Sequence, residues 1–305
     1  MRADDVAAVV VNYNAREHLL ACVRSLRCEG VDDVVVVDND SRDGSGSALA
    51  AVDPGARFIP TGANLGFGTA ANRGVAATGS PLVLIMNPDA VLRPGALEAL
   101  AAALEGDDGL AVVGPRVDNL DGTLYPSARR FPALGVAAGH AFLGLVRPDN
   151  RFTRRYKMLD GEPGAKADVD WVSGTCMLVR RDAFEAIGGF DEAFFMYVED
   201  VDLCWRLWQA GWRVGYEPAA RVVHTVGASS ELAPYRMIAA HHRSLLRFAA
   251  KTVRGPNRLL LPVVATGLAV RTVGAWAQRA WRGLPHAAPP RARSRPRDRA
   301  PKIVG

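Results

Sequence analysis

The chain is predicted to fold as an α/β protein, with a mostly parallel, doubly wound sheet flanked by helices and a C-terminal helical extension. Three observations predict it. Short apolar runs at 6–11 (Val-Ala-Ala-Val-Val-Val), 34–37 (four valines) and 82–86 (Leu-Val-Leu-Ile-Met) have the continuous character of strands covered on both faces. Helix-like patterns alternate with them, at about 15–28, 69–78 and 94–104. Each run ends in a polar cluster, namely Asn12-Tyr13-Asn14, Asp38-Asn39-Asp40 and Asn87-Pro88-Asp89. In doubly wound sheets ligands sit beyond the carboxyl ends of the strands, so these clusters mark the expected site.

The first two runs and the helix between them form a βαβ unit. Asn64-Leu65-Gly66-Phe67-Gly68 then opens the helix that carries Asn72, and its glycines let backbone amides approach a ligand. The spacing matches neither a Walker loop nor a dinucleotide fingerprint, which excludes those nucleotide chemistries. Between 116 and 170 Pro and Gly punctuate the pattern, as expected of an insertion over the sheet edge. A strand is expected at 171–179 and a helix at 182–187, with a last strand at either 212–216 or 221–224. Residues 235–250 and 256–284 read as helices, and the chain from Pro285 onward is rich in Arg, Pro and Ala, the composition of a disordered tail. This divides the chain into a domain at 1–226 with its insertion at about 116–170, a helical region at 227–285 and a basic tail at 286–305.

At 305 residues the chain exceeds the usual single-domain length of roughly 100–200 residues, which allows one large α/β domain with an appendage. No continuous apolar run reaches the roughly 20 residues that span a bilayer, and no charged-then-apolar leader opens the sequence. A cytoplasmic protein is therefore expected. Cys22, Cys28, Cys176 and Cys204 lack metal-ligand spacing and read as reduced packing residues. Charge is unevenly placed: residues 251–305 hold 12 Lys/Arg and one acid, whereas the rest holds 25 basic and 31 acidic residues. Such a tail suits an anionic membrane surface, although it reads equally as a solvated segment.

The densest chemistry lies at 194–206, where Glu199, Asp200 and Asp202 interrupt an apolar, aromatic run. Carboxylates in such surroundings cost free energy unless paired, metal-bound or used as a base. The plain alternative is an acidic first turn stabilised by the helix dipole. Asp38 is suited to accept hydrogen bonds from a base or ribose, with Asn39 or Asp40 capping the following turn. Asp89 stands where a hard divalent cation on a diphosphate would bind, and His224 follows a late strand as either a ligand or a structural histidine.

In combination these pieces resemble the family 2 inverting glycosyltransferases of the GT-A fold. The matching segments are residues 11–14, 37–39, 64–68, 87–89, 171–174 and 199–202, followed by His224, and together they cover about residues 6–226. The resemblance implies that Asn12, Asn14, Asp38, Asn64, Gly66 and Asn72 line the nucleotide pocket. It also implies that Asp89, with His224, holds Mg²⁺ or Mn²⁺, that Trp171 and Gly174 meet the acceptor, and that Asp200 is the general base. Glu199 and Asp202 stay open as alternative bases, because helical spacing puts them on one face and Asp200 on another. Asn87 stands where the family often has a second acidic residue.

Residues 125–129, 195–202 and 239–244 are similar, more narrowly, to the actinobacterial rhamnosyltransferases that build the cell-wall linker. That similarity implies transfer of L-rhamnose from dTDP-rhamnose to the 3-hydroxyl of N-acetylglucosamine on a polyprenyl diphosphate, at the inner face of the plasma membrane. The alternatives are another sugar on the same fold, such as galactofuranose or a hexosamine, or a catalytically silent sugar-nucleotide-binding scaffold. No nucleic-acid-binding module accompanies the basic tail. A homodimer is compatible with the sequence.

Overall fold

The structure, a computed structural model, describes residues 5–131, 166–225 and 234–283. The tail at 286–305 and residues 132–165 of the expected insertion lie outside the described residues. The first strand, β1 (Val6–Asn12), is buried along its whole length between β2 (Asp33–Asp38) and β4 (Leu82–Met86), parallel to both. Its side chains alternate between two cores. Val6, Ala8 and Val10 pack with Leu19, Cys22 and Leu26 of α1 (Arg16–Cys28), while Val9 and Val11 pack with Ala70, Ala71 and Val75 of α3 (Phe67–Ala76). Coverage on both faces is why the strand is apolar at successive positions instead of alternating. Burying one such valine stabilises the fold by roughly 1.5–3 kcal/mol.

The principal sheet runs β3 (Arg57–Pro60), β2, β1, β4, β11 (Cys176–Arg180), β6 (Leu110–Asn119), β12 (Arg213–His224), β5 (Ala90–Leu92). Its parallel half ends in the edge strand β3, reached through α2 (Ser45–Val52). Antiparallel β11 then joins β4 to β6, with α4 (Ala96–Glu105) leading into the latter. On the far side β12 pairs parallel with β6 and antiparallel with β5. The two segments expected as alternative last strands are thus one strand, bent by an irregularity between Glu217 and Arg221. Arg116–Asn119, expected to begin an insertion, complete β6; β7 (Leu124–Tyr125) folds back on it. The strand expected at 171–179 is broken by a turn at 173–175. Trp171 and Val172 form β10, paired with β8 (Ala128–Arg129), before β11 resumes. The short β9 (Ala167–Asp168) pairs with β12.

After α5 (Arg181–Ala186) and α6 (Glu199–Gln209), two C-terminal helices follow, α7 (Pro234–Thr252) and α8 (Leu261–Gly283), joined by a 3-10 turn at Gly255–Leu260. Helix α7 docks through buried Phe248, whose ring meets Trp205 edge-on, and α8 docks on α7 through His242 and Thr272, 2.7 Å apart. Within Gly255–Ala280 the most apolar 18 residues have a mean hydropathy of 1.6 and none of them is buried, so that by length and composition the helix could cross a membrane. The sequence holds no continuous apolar run of about 20 residues, as expected, and the helix meets the spanning criterion only by its averaged composition. Arg258 and Arg271 interrupt the apolar run in the sequence, and it is only the 18-residue average that is apolar enough to span.

Candidate active site

A cleft of about 810 Å³ opens at the carboxyl ends of the strands. One wall comes from β1 and β2, whose register sets Asn12 beside Asp38. Asn12 Nδ2 donates to Asp38 Oδ1 at 2.7 Å and to Ser41 Oγ at 3.1 Å, and the Ser41 amide donates to Asp38 Oδ2 at 2.9 Å. Asn14, in a left-handed conformation with φ 49°, accepts from the Arg42 amide at 2.8 Å. These asparagines hold the loop after β2. Asp38 borders a smaller hollow of about 310 Å³ next to the cleft.

Asn39 bridges this loop to the next, donating to the Gly66 carbonyl at 3.1 Å and accepting from the Leu65 amide at 3.3 Å. Asn64 and Gly66 reach the cleft. Gly66 has φ +88°, and a Cβ there would run into the backbone of Phe195, whose carbonyl accepts from the Phe67 amide at 3.2 Å. Gly66→Ala is therefore expected to displace the segment before α6. A loss of about 1–3 kcal/mol in denaturant melts is predicted, together with reduced transfer activity. Asn72 is not in the cleft. Its amide pairs with both backbone groups of Phe190, at 2.9 Å each, and joins α3 to the loop before α6.

Asp89 and His224 meet at the opposite wall because antiparallel pairing of β5 with β12 aligns Ala90 with His224. Asp89 Oδ1 lies 3.1 Å from His224 Nε2, both side chains are buried, and the Tyr125 ring meets the imidazole edge-on. Asn87 lines the cleft beside them.

Asp200 stands in the first turn of α6. Tyr197 and Val198 ahead of it adopt left-handed φ values of 64° and 70°, strained for residues with bulky side chains, and turn the helix start into the cleft. Asp200 Oδ2 accepts from the Gly174 amide at 3.0 Å and Oδ1 from the Val201 amide at 2.8 Å. Trp171 donates its indole N–H to the Arg130 carbonyl at 3.1 Å and lies under the Arg129 guanidinium, 4.9 Å from the ring centre. Burial pushes the Asp200 carboxyl above the usual carboxylate range, while the two amides and Arg129 pull the other way. Glu199 is also pushed up, first by burial and then by the charge of Asp200. The two form a coupled pair. Of the two, Glu199 is the better place for a shared proton, because Asp200 is stabilised as an anion by the Gly174 and Val201 amides and the Arg129 guanidinium, whereas Glu199 has only its own amide.

Asp202 is fully buried away from the cleft, 2.7 Å from both Arg206 and Lys251. The helical phase expected to group it with Glu199 thus turns it toward α7. Arg129, which the sequence offers with Arg130 as either a contact for a lipid diphosphate or a solvated loop residue, lines the cleft, and so do residues given no role from sequence: Tyr13, Tyr125 and, from α7, Arg236, His241 and Arg243. The motifs at 125–129 and 239–244 were the signal for most of them.

The chain matches the sequence profile of "Glycosyl transferase family 2" over residues 7–188. It is 41% identical over 261 residues to the N-acetylglucosaminyl-diphospho-decaprenol L-rhamnosyltransferase of Mycobacterium tuberculosis H37Rv, an alignment covering 81% of this chain and 84% of that protein. The chain belongs to glycosyl transferase family 2. This family 2 glycosyltransferase is also 33% identical over 125 residues to the Escherichia coli K12 rhamnosyltransferase WbbL, spanning 41% of this chain and 44% of that one. Among solved structures, the mannosyltransferase PcManGT from Pyrobaculum calidifontis, in complex with GDP-Man and Mn²⁺, superimposes with a TM-score of 0.57 at 18% identity. That alignment covers 92% of this chain and 76% of that one, and it supports the GT-A fold.

The residues of the family 2 enzyme fit a divalent cation in one place. Among the described residues no group of three or more His, Cys, Asp or Glu side chains converges. Asp89 Oδ1 and His224 Nε2 are hydrogen-bonded to each other at 3.1 Å, a spacing that also matches the ~3 Å between adjacent ligands at ~2.1 Å around an octahedral ion. Two protein ligands suit Mg²⁺ or Mn²⁺ completed by water and phosphate oxygens.

Proposed function

We propose that the enzyme transfers L-rhamnose, with inversion, from dTDP-rhamnose to N-acetylglucosamine carried on a polyprenyl diphosphate, in assembly of a cell-wall linker or polysaccharide. The observation that carries this reading is the 41% identity to the mycobacterial enzyme over 81% of the chain. Inversion requires in-line displacement at the anomeric carbon. Asp200 takes the proton from the acceptor hydroxyl as that oxygen bonds to the sugar and the bond to dTDP breaks. The amides of Gly174 and Val201 hold the carboxylate in place, and Trp171 with Gly174 bounds the acceptor side. Asn64, Gly66 and Asn39 edge the nucleotide side, supported from behind by the Asn12–Asp38–Ser41 brace. Asp89 and His224 would hold Mg²⁺ or Mn²⁺, whose charge favours departure of the diphosphate.

The acceptor is a membrane lipid, so the enzyme is placed at the inner face of the plasma membrane. The exposed apolar side chains Leu259, Val263, Val270 and Val273 are its contact, helped by the basic tail. Incubation with dTDP-rhamnose and a polyprenyl-diphosphate N-acetylglucosamine should give product that needs added Mg²⁺ or Mn²⁺ and disappears in EDTA. Asp89→Asn should lower transfer by about 10²-fold or more. Metal-independent turnover would remove Asp89 and His224 from the mechanism, and faster transfer from another nucleotide sugar would reassign the donor.

A further inference from the structure

Arg236 and Arg243 stand seven residues apart on α7, two turns along one helix face. Both border the cleft, and only Ala239 and Ala240 fill the face between them. Both are exposed at the mouth, and among the described residues neither has a carboxylate partner. Several arginines elsewhere are spent in ion pairs, as Arg206 is with Asp202 and Arg221 with Asp118, and others such as Arg73 and Arg93 have no carboxylate partner among the described residues but do not border the cleft. Two arginines left open beside small residues make a forked, cationic recess of the kind that binds phosphate oxygens bidentately.

Helix α7 is fixed to the segment leading into Asp200. Ser244 Oγ donates to the Met196 carbonyl at 2.9 Å, and the His241 ring meets Tyr197 edge-on. Its other side carries α8, held by His242 with Thr272 and by Tyr235 against Trp276. The arginine pair therefore lies between the base and the exposed apolar helix. A lipid-linked sugar imposes the same order on its parts: the hydroxyl must reach Asp200, the hydrocarbon must stay in apolar surroundings, and the diphosphate falls between.

We propose that Arg236 and Arg243, with Arg129 behind them, form a second diphosphate subsite that holds the acceptor's diphosphate, separate from the donor diphosphate site near Asp89. The assignment to the acceptor rests on the function proposed above; the presence of a second diphosphate site does not.

The test uses inorganic diphosphate as the probe, titrated into the full chain with the donor pocket saturated by dTDP and EDTA present to exclude cation bridging at Asp89. The wild type should still bind it, and Arg236→Gln/Arg243→Gln should weaken that binding about tenfold or more. The dTDP affinity of the variant should stay within about threefold of wild type, since these exposed residues are assigned no part in the donor site. Diphosphate that no longer binds once dTDP is present, equal binding by the variant, or a parallel loss of dTDP affinity would each overturn the inference and return the arginines to the donor side or to solvent. In assays with the lipid acceptor, the variant should show its defect in acceptor KM. If the wild type transfers no sugar to any prenyl-diphosphate acceptor, the functional reading fails, while the titration still decides whether the second site exists.

Discussion

Asp200→Asn is expected to lower kcat by about 10³-fold, within the usual span for losing a general base, while dTDP-rhamnose still binds. Asparagine keeps the size of the side chain and can still accept from the Gly174 amide, so the turn into α6 should hold. It cannot take a proton. Glu199→Gln gives the sharper contrast. If Glu199 carries the proton of the pair, glutamine mimics its working state and most activity should remain; loss in Glu199→Gln with retention in Asp200→Asn would exchange their roles. The sign of the pH dependence follows from the upward shift of Asp200. A base with a raised pKa is ionised only above that pKa. Activity should therefore fall on acidification at a pH above the ordinary carboxylate range, and the residual activity of Asp200→Asn should lack that limb.

Asp202→Ala should destabilise the fold by about 3–5 kcal/mol, because it leaves Arg206 and Lys251 facing a buried space without their common counter-charge. Asp202 is wholly buried, with Arg206 in the same helix and Lys251 on α7, so the variant also loosens α7 from the body. Lys251 keeps Asp191 as a second partner at 2.8 Å, which limits the effect without removing it. Urea or guanidinium unfolding reads the change. A loss below about 1 kcal/mol, as expected of exposed pairs such as Arg16 with Glu17, would show that this network contributes little.

The central strands were legible because burial on both faces leaves long β-branched runs, and their polar ends marked the cleft. The edge of the sheet was harder to read. Strand β3 is four residues long, exposed at both ends and closed by Pro60, so its pattern resembles a loop. Strand β6 contains Gly114 and Pro115, which read as punctuation, yet they lie within a strand that pairs with β12. Motif position alone could not separate residues that face the cleft from those that brace it. Asn72 and Asp202 sit within the motif-bearing stretches, but their side chains are taken up by Phe190 and by Arg206 with Lys251. Which way such a side chain turns depends on contacts made across more than a hundred positions in the case of Asn72, and no local pattern records that. The α7 contribution escaped for a similar reason: helical periodicity predicted the helix, but only its docking on Met196 and Tyr197 brings Arg236 and Arg243 to the mouth.

The most direct test of the account is the anomeric configuration of the product formed from dTDP-rhamnose and a polyprenyl-diphosphate N-acetylglucosamine, read by NMR from the coupling constants of the new linkage. A single base at Asp200 and in-line attack predict rhamnose joined with the configuration opposite to that of the donor. Retained configuration, or no rhamnosylated product from an enzyme that binds dTDP-rhamnose and the acceptor, would contradict it.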